Sequence, residues 1–272
     1  MAEHPDARDR AARRRVTEPR DHGHDRLTAQ LRRAGCVFAE DEARLLRTEA
    51  PDDDVLEGWV RRRVAGEPLE TIVGWAEFSG HRVVVEPGVF VPRRRTEALV
   101  DVARELVRTG AVVVDLCCGS GAIGRAMADV ATVYAADVDP AAVACARRNL
   151  PPDRVFHGDL FDALPAALRG RIDVVCANTP YVPTAAVASM PREAREREPR
   201  ATLDGGPDGL DLQRRVATEV TRWLTPTGSL LVETSAAQAD AAAAIMQASG
   251  LRPRIHHDDE RDAIVVIGSA QG

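Results

Sequence analysis

The sequence predicts an α/β fold: a doubly wound, seven-stranded, mostly parallel sheet, with a small N-terminal helical domain and a linking β-hairpin ahead of it. Three observations predict it. Residues 111–114 form an unbroken apolar run that stops at Asp115, with Gly119 and Gly121 close behind, the pattern of a strand buried on both faces and running into a tight loop. Strands and helices then alternate to the C-terminus, which implies one sheet with crossover helices. The last two strands follow one another without a helix, so they form an antiparallel hairpin at the sheet edge.

The 272 residues, 44% of them hydrophobic, suffice for one sizeable α/β domain plus a small second unit. No apolar run approaches the roughly 20 residues of a membrane span. The charged N-terminus lacks a signal-peptide core, so a cytoplasmic protein without a membrane partner is expected. A formal net charge of −6 argues against a large nucleic-acid footprint. Cys36, Cys117, Cys118, Cys145 and Cys176 show no C-x-x-C spacing and read as reduced core thiols.

Residues 1–25 mix arginine with acids and hold almost nothing apolar, which predicts a disordered tail. Its Arg13-Arg14-Arg15 run is nearly cancelled by nearby acids. Residues 26–75 form the predicted helical domain. Helical periodicity runs through Leu27, Leu31 and Ala34, then Ala43, Leu45 and Leu46, then Val55, Trp59 and Val64, with breaks at Gly35 and Pro51 to Asp54. Three short helices are too little for an independent core. They serve either as a substrate-reading unit docked on the main domain or as a plain packing extension. Residues 76–91 read as the linker hairpin, His81 to Val85 returning as Val89 to Val91 around Glu86-Pro87-Gly88.

The main domain is predicted over 92–272. Thr96 stands where it can cap a helix reaching about Arg108. Beyond the glycine loop come a helix (122–130), a strand (131–136) ending at Asp137, and a helix from Pro140 to Asn149. A short strand over 154–157 leads into Gly158-Asp159-Leu160-Phe161, and the strand over 172–177 into Asn178-Thr179-Pro180-Tyr181. A Pro- and Arg-rich loop follows, then a helix (212–224), a turn at Pro226 to Gly228, a strand (229–233) and a helix (238–249). Strands over 252–256 and 263–267 close the fold. His256-His257 is no metal pair, because adjacent strand residues face opposite sides.

Gly119-Ser120-Gly121-Ala122-Ile123-Gly124 admits three chemistries. It satisfies the dinucleotide pattern G-x-G-x-x-G, with Asp137 about twenty residues on as a ribose acid. It imitates a P-loop, but Arg125-Ala126 replaces the required Lys-Ser/Thr and the chain has no lysine. It also suits S-adenosylmethionine, with Asp115 at the strand end. The loop alone does not choose between the first and the third.

Asp115 with its glycine loop and Asn178-Thr179-Pro180-Tyr181 together resemble a class I S-adenosylmethionine-dependent methyltransferase acting on a planar nitrogen, where Asn/Asp-Pro-Pro-Tyr occupies the second place. The resemblance narrows to the protein-(glutamine-N5) methyltransferase family, the HemK/PrmC group. It is carried by Gly66-Glu67-Pro68-Leu69, Glu77-Phe78-Ser79-Gly80, Pro87 to Arg93 with Thr96-Glu97, Asp159-Leu160-Phe161, and the segment from Glu198-Pro199 to Asp208-Gly209-Leu210. Coverage runs from about residue 55 to 268. Cys117-Cys118 replaces the usual Gly-Thr or similar pair, Thr179 the first proline, and Thr234-Ser235 the frequent Ile-Gly. The N-terminal helical unit is also short for a release-factor enzyme. These departures bear on the substrate more than on the reaction.

The resemblance implies a Rossmann-like methyltransferase using S-adenosyl-L-methionine on a glutamine of a release factor or ribosomal protein, with no direct nucleic acid required. Asp115, Cys117, Cys118, Gly119, Ser120 and Gly121 are the expected methionine side of the cofactor site. Asp137 is expected on the ribose, and Asp159 with the Leu160 backbone on the adenine edge. Asn178 is expected to touch both cofactor and acceptor. An amide nitrogen is a poor nucleophile, and two acceptors aimed at its N–H groups favour lone-pair density facing the methyl. Those acceptors are the Asn178 side-chain oxygen and, by resemblance, the carbonyl of Thr179, which Pro180 biases to an extended conformation. Tyr181 is expected to pack on the substrate amide. No general base is needed, since the product proton can leave to water. Arg93, Thr96 and Glu97 are candidates for the mouth of the site. The rival readings are a nucleic-acid amino-group methyltransferase, a nicotinamide oxidoreductase and a non-catalytic S-adenosylmethionine-binding module.

Overall fold

The computed structural model describes residues 22–190, 195 and 198–271. They fall into two compact units that divide after Ala65. Most of the tail predicted over 1–25 lies outside the described residues.

The first unit holds three helices, α1 (His22–Arg33), α2 (Ala39–Glu49) and α3 (Asp53–Val64). α1 begins before the predicted residue 26, at His22. Leu27, Leu31, Ala43, Leu46 and Val60 form its small core. Asp52 caps α3 by accepting the Val55 N–H at 2.8 Å. Arg63 grips the buried Glu42 through two bonds, of 2.6 and 3.1 Å, the two-pronged geometry that suits a guanidinium and a carboxylate.

The second unit opens with α4 (Leu69–Val73) and a hairpin of β1 (Trp75–Phe78) and β2 (His81–Val84). The unit boundary precedes the predicted residue 75 because α4 is tied to the hairpin: Val85 N–H donates to Gly74 O at 3.1 Å. The hairpin is not the predicted one. It turns at Ser79-Gly80, both at positive φ (48° and 79°), the backbone of a two-residue primed turn. Glu86 to Val89 does turn (Val89 N–H to Glu86 O, 3.1 Å), but the chain beyond it lines a cavity instead of returning as a strand. Pro87 and Pro92 also lack N–H groups for a ladder.

There follow α5 (Glu97–Leu106), β3 (Val112–Leu116), α6 (Ala122–Met127), β4 (Thr132–Asp137), α7 (Pro140–Asn149), β5 (Val155–His157) and β6 (Ile172–Ala177). After these come α8 (Asp211–Val220), β7 (Leu224–Thr234), α9 (Ala239–Ala248), β8 (Leu251–Asp258) and β9 (Ala263–Ala270). The sheet order is β5-β4-β3-β6-β7-β9-β8, with β9 antiparallel to both neighbours. The seven predicted strands are all present. α8 ends before the predicted Leu224, and the predicted Pro226–Gly228 turn is an irregularity inside β7: Ile172 pairs with Leu224, yet Val174 with Ser229.

Alternation along each strand feeds two cores. Val113, Val133 and Cys176 pack with Leu99, Ile123 and Met127 on one face, and Val114, Leu116 and Val175 with Phe161, Trp223 and Met246 on the other. All five cysteines are free thiols. Among the described residues no helix is long and apolar enough to cross a membrane.

Candidate active site

β3 pairs with β4 on one side and β6 on the other, so the strand order reverses there, and open α/β sheets bind ligands at such a point. Leu116 sits opposite both Ala136 and Ala177. The next residues, Cys117, Asp137 and Asn178, therefore leave adjacent strand ends into one cavity. Ala177 in turn pairs with Val232, which brings Glu233 of β7 to the same rim. Cavity space, not packed side chains, separates the two motifs.

On the β3–β4 side the loop is built around two carboxyl groups. Asp115 is buried, its Oδ2 accepts the Gly124 N–H at 2.9 Å, and Oδ1 has no hydrogen-bond partner among the described residues. Burial pushes its carboxyl up to about 8, with the Asp137 charge adding to the shift. Asp137 accepts N–H groups of Gly119 (2.8 Å) and Asp139 (2.9 Å), one on each oxygen. A carboxylate offers about four lone-pair sites, so Asp137 keeps acceptor capacity for a ligand hydroxyl. Burial raises its pKa as well. Gly119 has φ +54°, and a Cβ there would meet only the Phe90 Cβ, at 4.0 Å: the space over it is open to a ligand. Cys117, also at positive φ (55°), occupies the position where the resembled family usually has glycine. Burial pushes both the Cys117 and Cys118 thiols well up, away from the thiolate form that a nucleophile needs.

This geometry separates the readings that the loop left open. A dinucleotide site aims a helix N-terminus at a pyrophosphate. Here the N–H of Gly124, in the first turn of α6, is taken by Asp115. Gly121 and Gly124 face Leu150 instead of the cavity. The Asp137 carboxylate, the exposed Val138 beside it as an apolar wall, and the open loop leave room for a nucleoside but offer no seat for a diphosphate.

On the β6–β7 side, Asn178 donates its Nδ2 to Thr96 Oγ1 at 3.2 Å, which leaves Oδ1 as its outward acceptor. Thr96 caps nothing. Its backbone is already helical, and its hydroxyl serves Asn178. Glu233 is 2% exposed and receives Tyr181 Oη at 3.1 Å and Arg95 Nε at 3.2 Å on one oxygen, Oε1. Burial raises its pKa while Thr96, Arg95 and Tyr181 pull the other way. Burial, then the Glu233 charge, pushes the Tyr181 phenol up. Thr179 is buried, with a hydroxyl that finds no partner among the described residues. Arg93 forms an ion pair with Glu198 across the cavity wall.

The motif's backbone is held from below. Gln238 Nε2 donates to the carbonyls of Tyr181 (2.9 Å) and Asp208 (2.8 Å). Gly205 N–H donates to Val182 O at 2.9 Å. The glycines at 205 and 209 pass so close that a Cβ would lie 2.5 Å from Pro180 O and 2.2 Å from Tyr181 O, respectively. Asn149 does the same for the other loop. Its carboxamide bonds Val84 N and O (2.8 and 2.9 Å) and Ser120 O (2.8 Å), joining β2 to the glycine loop.

Of the sequence-predicted residues, Cys117, Cys118, Gly119, Ser120, Asp137 and Asn178 to Tyr181 meet in the cavity, with Arg93 and Thr96. Asp115 and Gly121 lie behind its wall. Asp159 pairs with Arg215 at 2.7 Å, Leu160 is buried in the second core, and Glu97 accepts the Ser79 N–H at 3.0 Å. None of these three lines the cavity. Sequence reasoning missed Val89, Phe90, Arg95, Val138 and Glu233. Glu233 had a visible cue, an acid closing the apolar run Leu230-Leu231-Val232, as Asp115 closes its own strand.

A family model described as a methyltransferase domain matches residues 113–197. The release factor glutamine methyltransferase of Geobacter sulfurreducens is 36% identical over 222 residues, spanning 79% of this chain and 77% of that protein. The 4-amino-L-phenylalanine/4-methylamino-L-phenylalanine methyltransferase of Streptomyces pristinaespiralis is 37% identical over 254 residues, with 83% and 86% covered. Among solved structures, a Pyrococcus furiosus methyltransferase superposes with a TM-score of 0.54 at 17% identity, over 71% of this chain and 90% of that one, a likeness of fold.

Proposed function

The chain belongs to the release factor glutamine methyltransferase family, and on that footing we propose that it methylates the side-chain amide nitrogen of a glutamine in a release factor, using S-adenosyl-L-methionine. The observation that carries this reading is the meeting of two motifs at adjacent strand ends, with Asn178 turned so that its carboxamide oxygen is free. S-adenosylmethionine supplies a sulfonium methyl group, electrophilic at carbon. Asp137 would hold its ribose hydroxyls, Val138 flank its base, and the backbone of 117–120 seat its methionine part.

The chain's own residues do the rest by alignment. Methyl transfer is an in-line displacement, so the acceptor nitrogen must be fixed on the cavity axis. Asn178 Oδ1 accepts one amide N–H, and the Thr179 carbonyl, the proposed second acceptor, takes the other. Together they rotate the lone pair toward the methyl and stabilise the positive charge that develops on nitrogen. A carbonyl serves as well from threonine as from proline, and Pro180 keeps residue 179 extended. Tyr181 packs on the flat amide. The departing proton passes to water.

The test is a mass gain of one methylene on a release-factor glutamine after incubation with the purified chain and S-adenosylmethionine. Asn178→Ala should lower turnover by about a hundredfold or more with cofactor affinity kept. Equal activity of mutant and wild type would refute the assignment. A second reading has one observation behind it: a relative 37% identical, covered over 86% of its length, is named for methylating 4-amino-L-phenylalanine, whose amino nitrogen is another planar acceptor. Methylation of 4-amino-L-phenylalanine in place of the release factor would favour it.

A further inference from the structure

Asn178 works as an acceptor only if its oxygen, not its nitrogen, faces the cavity. The two ends of a carboxamide are nearly the same shape, so packing alone does not select between them. Selection needs a neighbour that accepts but cannot donate. Thr96 Oγ1 is that neighbour, at 3.2 Å from Nδ2, yet a free hydroxyl can turn to donate. What removes the freedom lies behind it. Thr96 is 3% exposed, and its hydroxyl faces the Glu233 carboxylate. Tyr181 Oη and Arg95 Nε meet that carboxylate on Oε1, while Oε2 is buried with no hydrogen-bond partner among the described residues. An ionised carboxylate accepts and never donates. Oε2 is thus an open acceptor beside the Thr96 hydroxyl, and a hydroxyl that donates to it presents only its lone pairs to the Asn178 NH2.

We propose that Glu233 and Thr96 are positioning residues that set the polarity of the Asn178 carboxamide, pointing its oxygen at the acceptor nitrogen. The proposal rests on the reading of Asn178 as the acceptor-holding residue. Arg95 and Tyr181 enter by keeping Glu233 in its accepting form. The direction of each bond follows from the next, from a buried anion outward to the reacting group.

The chain has two asparagines, Asn149 and Asn178, so full-length protein labelled with 15N-asparagine shows two side-chain NH2 pairs, and Asn178→Ala identifies one. In wild type the Asn178 pair should exchange slowly with solvent. Thr96→Val, which keeps the shape and removes the hydroxyl, should speed that exchange about tenfold or more; Thr96→Ser should restore it. Glu233→Gln, whose amide can donate to Thr96, should shift the pair. With purified release factor, Thr96→Val and Glu233→Gln should lower kcat by about tenfold or more. The KM for S-adenosylmethionine should stay within about twofold, because these groups align the acceptor and do not bind the cofactor. Thr96→Ser should regain most of the lost kcat. Unchanged Asn178 signals in both variants, or wild-type kcat in Thr96→Val, would overturn the proposal. Failure of the wild-type chain to methylate the release factor, with the signals behaving as described, would instead refute the functional reading and leave the carboxamide's orientation supported.

Discussion

Gly209→Ala is the sharpest probe of how the acceptor motif is held. Gly209 sits at φ +81°, and an added Cβ would lie 2.2 Å from Tyr181 O and 2.3 Å from Gln238 Nε2. Two costs follow. The left-handed backbone costs a residue with a Cβ about 1–2 kcal/mol, and forcing atoms into a filled space costs about 1–3 kcal/mol more, so about 2–5 kcal/mol in all. Gly250→Ala separates them, because Gly250 has nearly the same φ, +84°, with nothing within 4 Å of its added Cβ. It should lose only the first part, about 1–2 kcal/mol. Urea melts of both variants read the difference. Methyl-transfer kinetics read the consequence: Gly209→Ala must push the Tyr181 backbone, and a shift of about 1 Å costs about a hundredfold in kcat, while Gly250→Ala should turn over normally. If the two variants melt alike and both react at the wild-type rate, the close approach is not what holds the motif.

Two further outcomes are expected. Asp137→Asn, which replaces one carboxylate oxygen with an N–H-bearing group, should weaken S-adenosylmethionine binding by about tenfold to a hundredfold; undiminished affinity by calorimetry would contradict the ribose role. Asp115 has a folded pKa of about 8 against an ordinary value of 3.8, so the folded state holds its proton more tightly and the acid is stabilising below about pH 4. That contribution falls away as pH rises toward 8. Asp115→Asn should therefore gain stability relative to wild type between pH 5 and pH 8 in urea melts; a wild-type pH dependence in the mutant would show that Asp115 does not titrate as described.

The strands were legible because each buried one is a run of Val, Ile, Leu or Ala that ends at a polar residue, and the central pair was legible because its ends carry chemistry. The hairpin was not. Val83 to Val85 reads as a strand wherever its partner lies, and nothing local says that Trp75 to Phe78 will pair with it in preference to Val89 to Val91. The site was half legible for a related reason. Asp137 and Asn178 follow their own strands, but Thr96 and Glu233 belong to the site through register alone: Ala177 opposite Val232, and a turn ahead of α5 that brings residue 96 against residue 178. Thr96 looked like a helix cap because threonine before a helix commonly is one. Its hydroxyl was claimed by the tertiary structure instead.

The Asn149 carboxamide carries a mechanical implication. By holding both main-chain groups of Val84 and the carbonyl of Ser120 at once, it rivets a hairpin that begins some forty residues upstream to the loop that lines the cavity. Without that carboxamide, the hairpin and the glycine loop would each lose the bonds that join them.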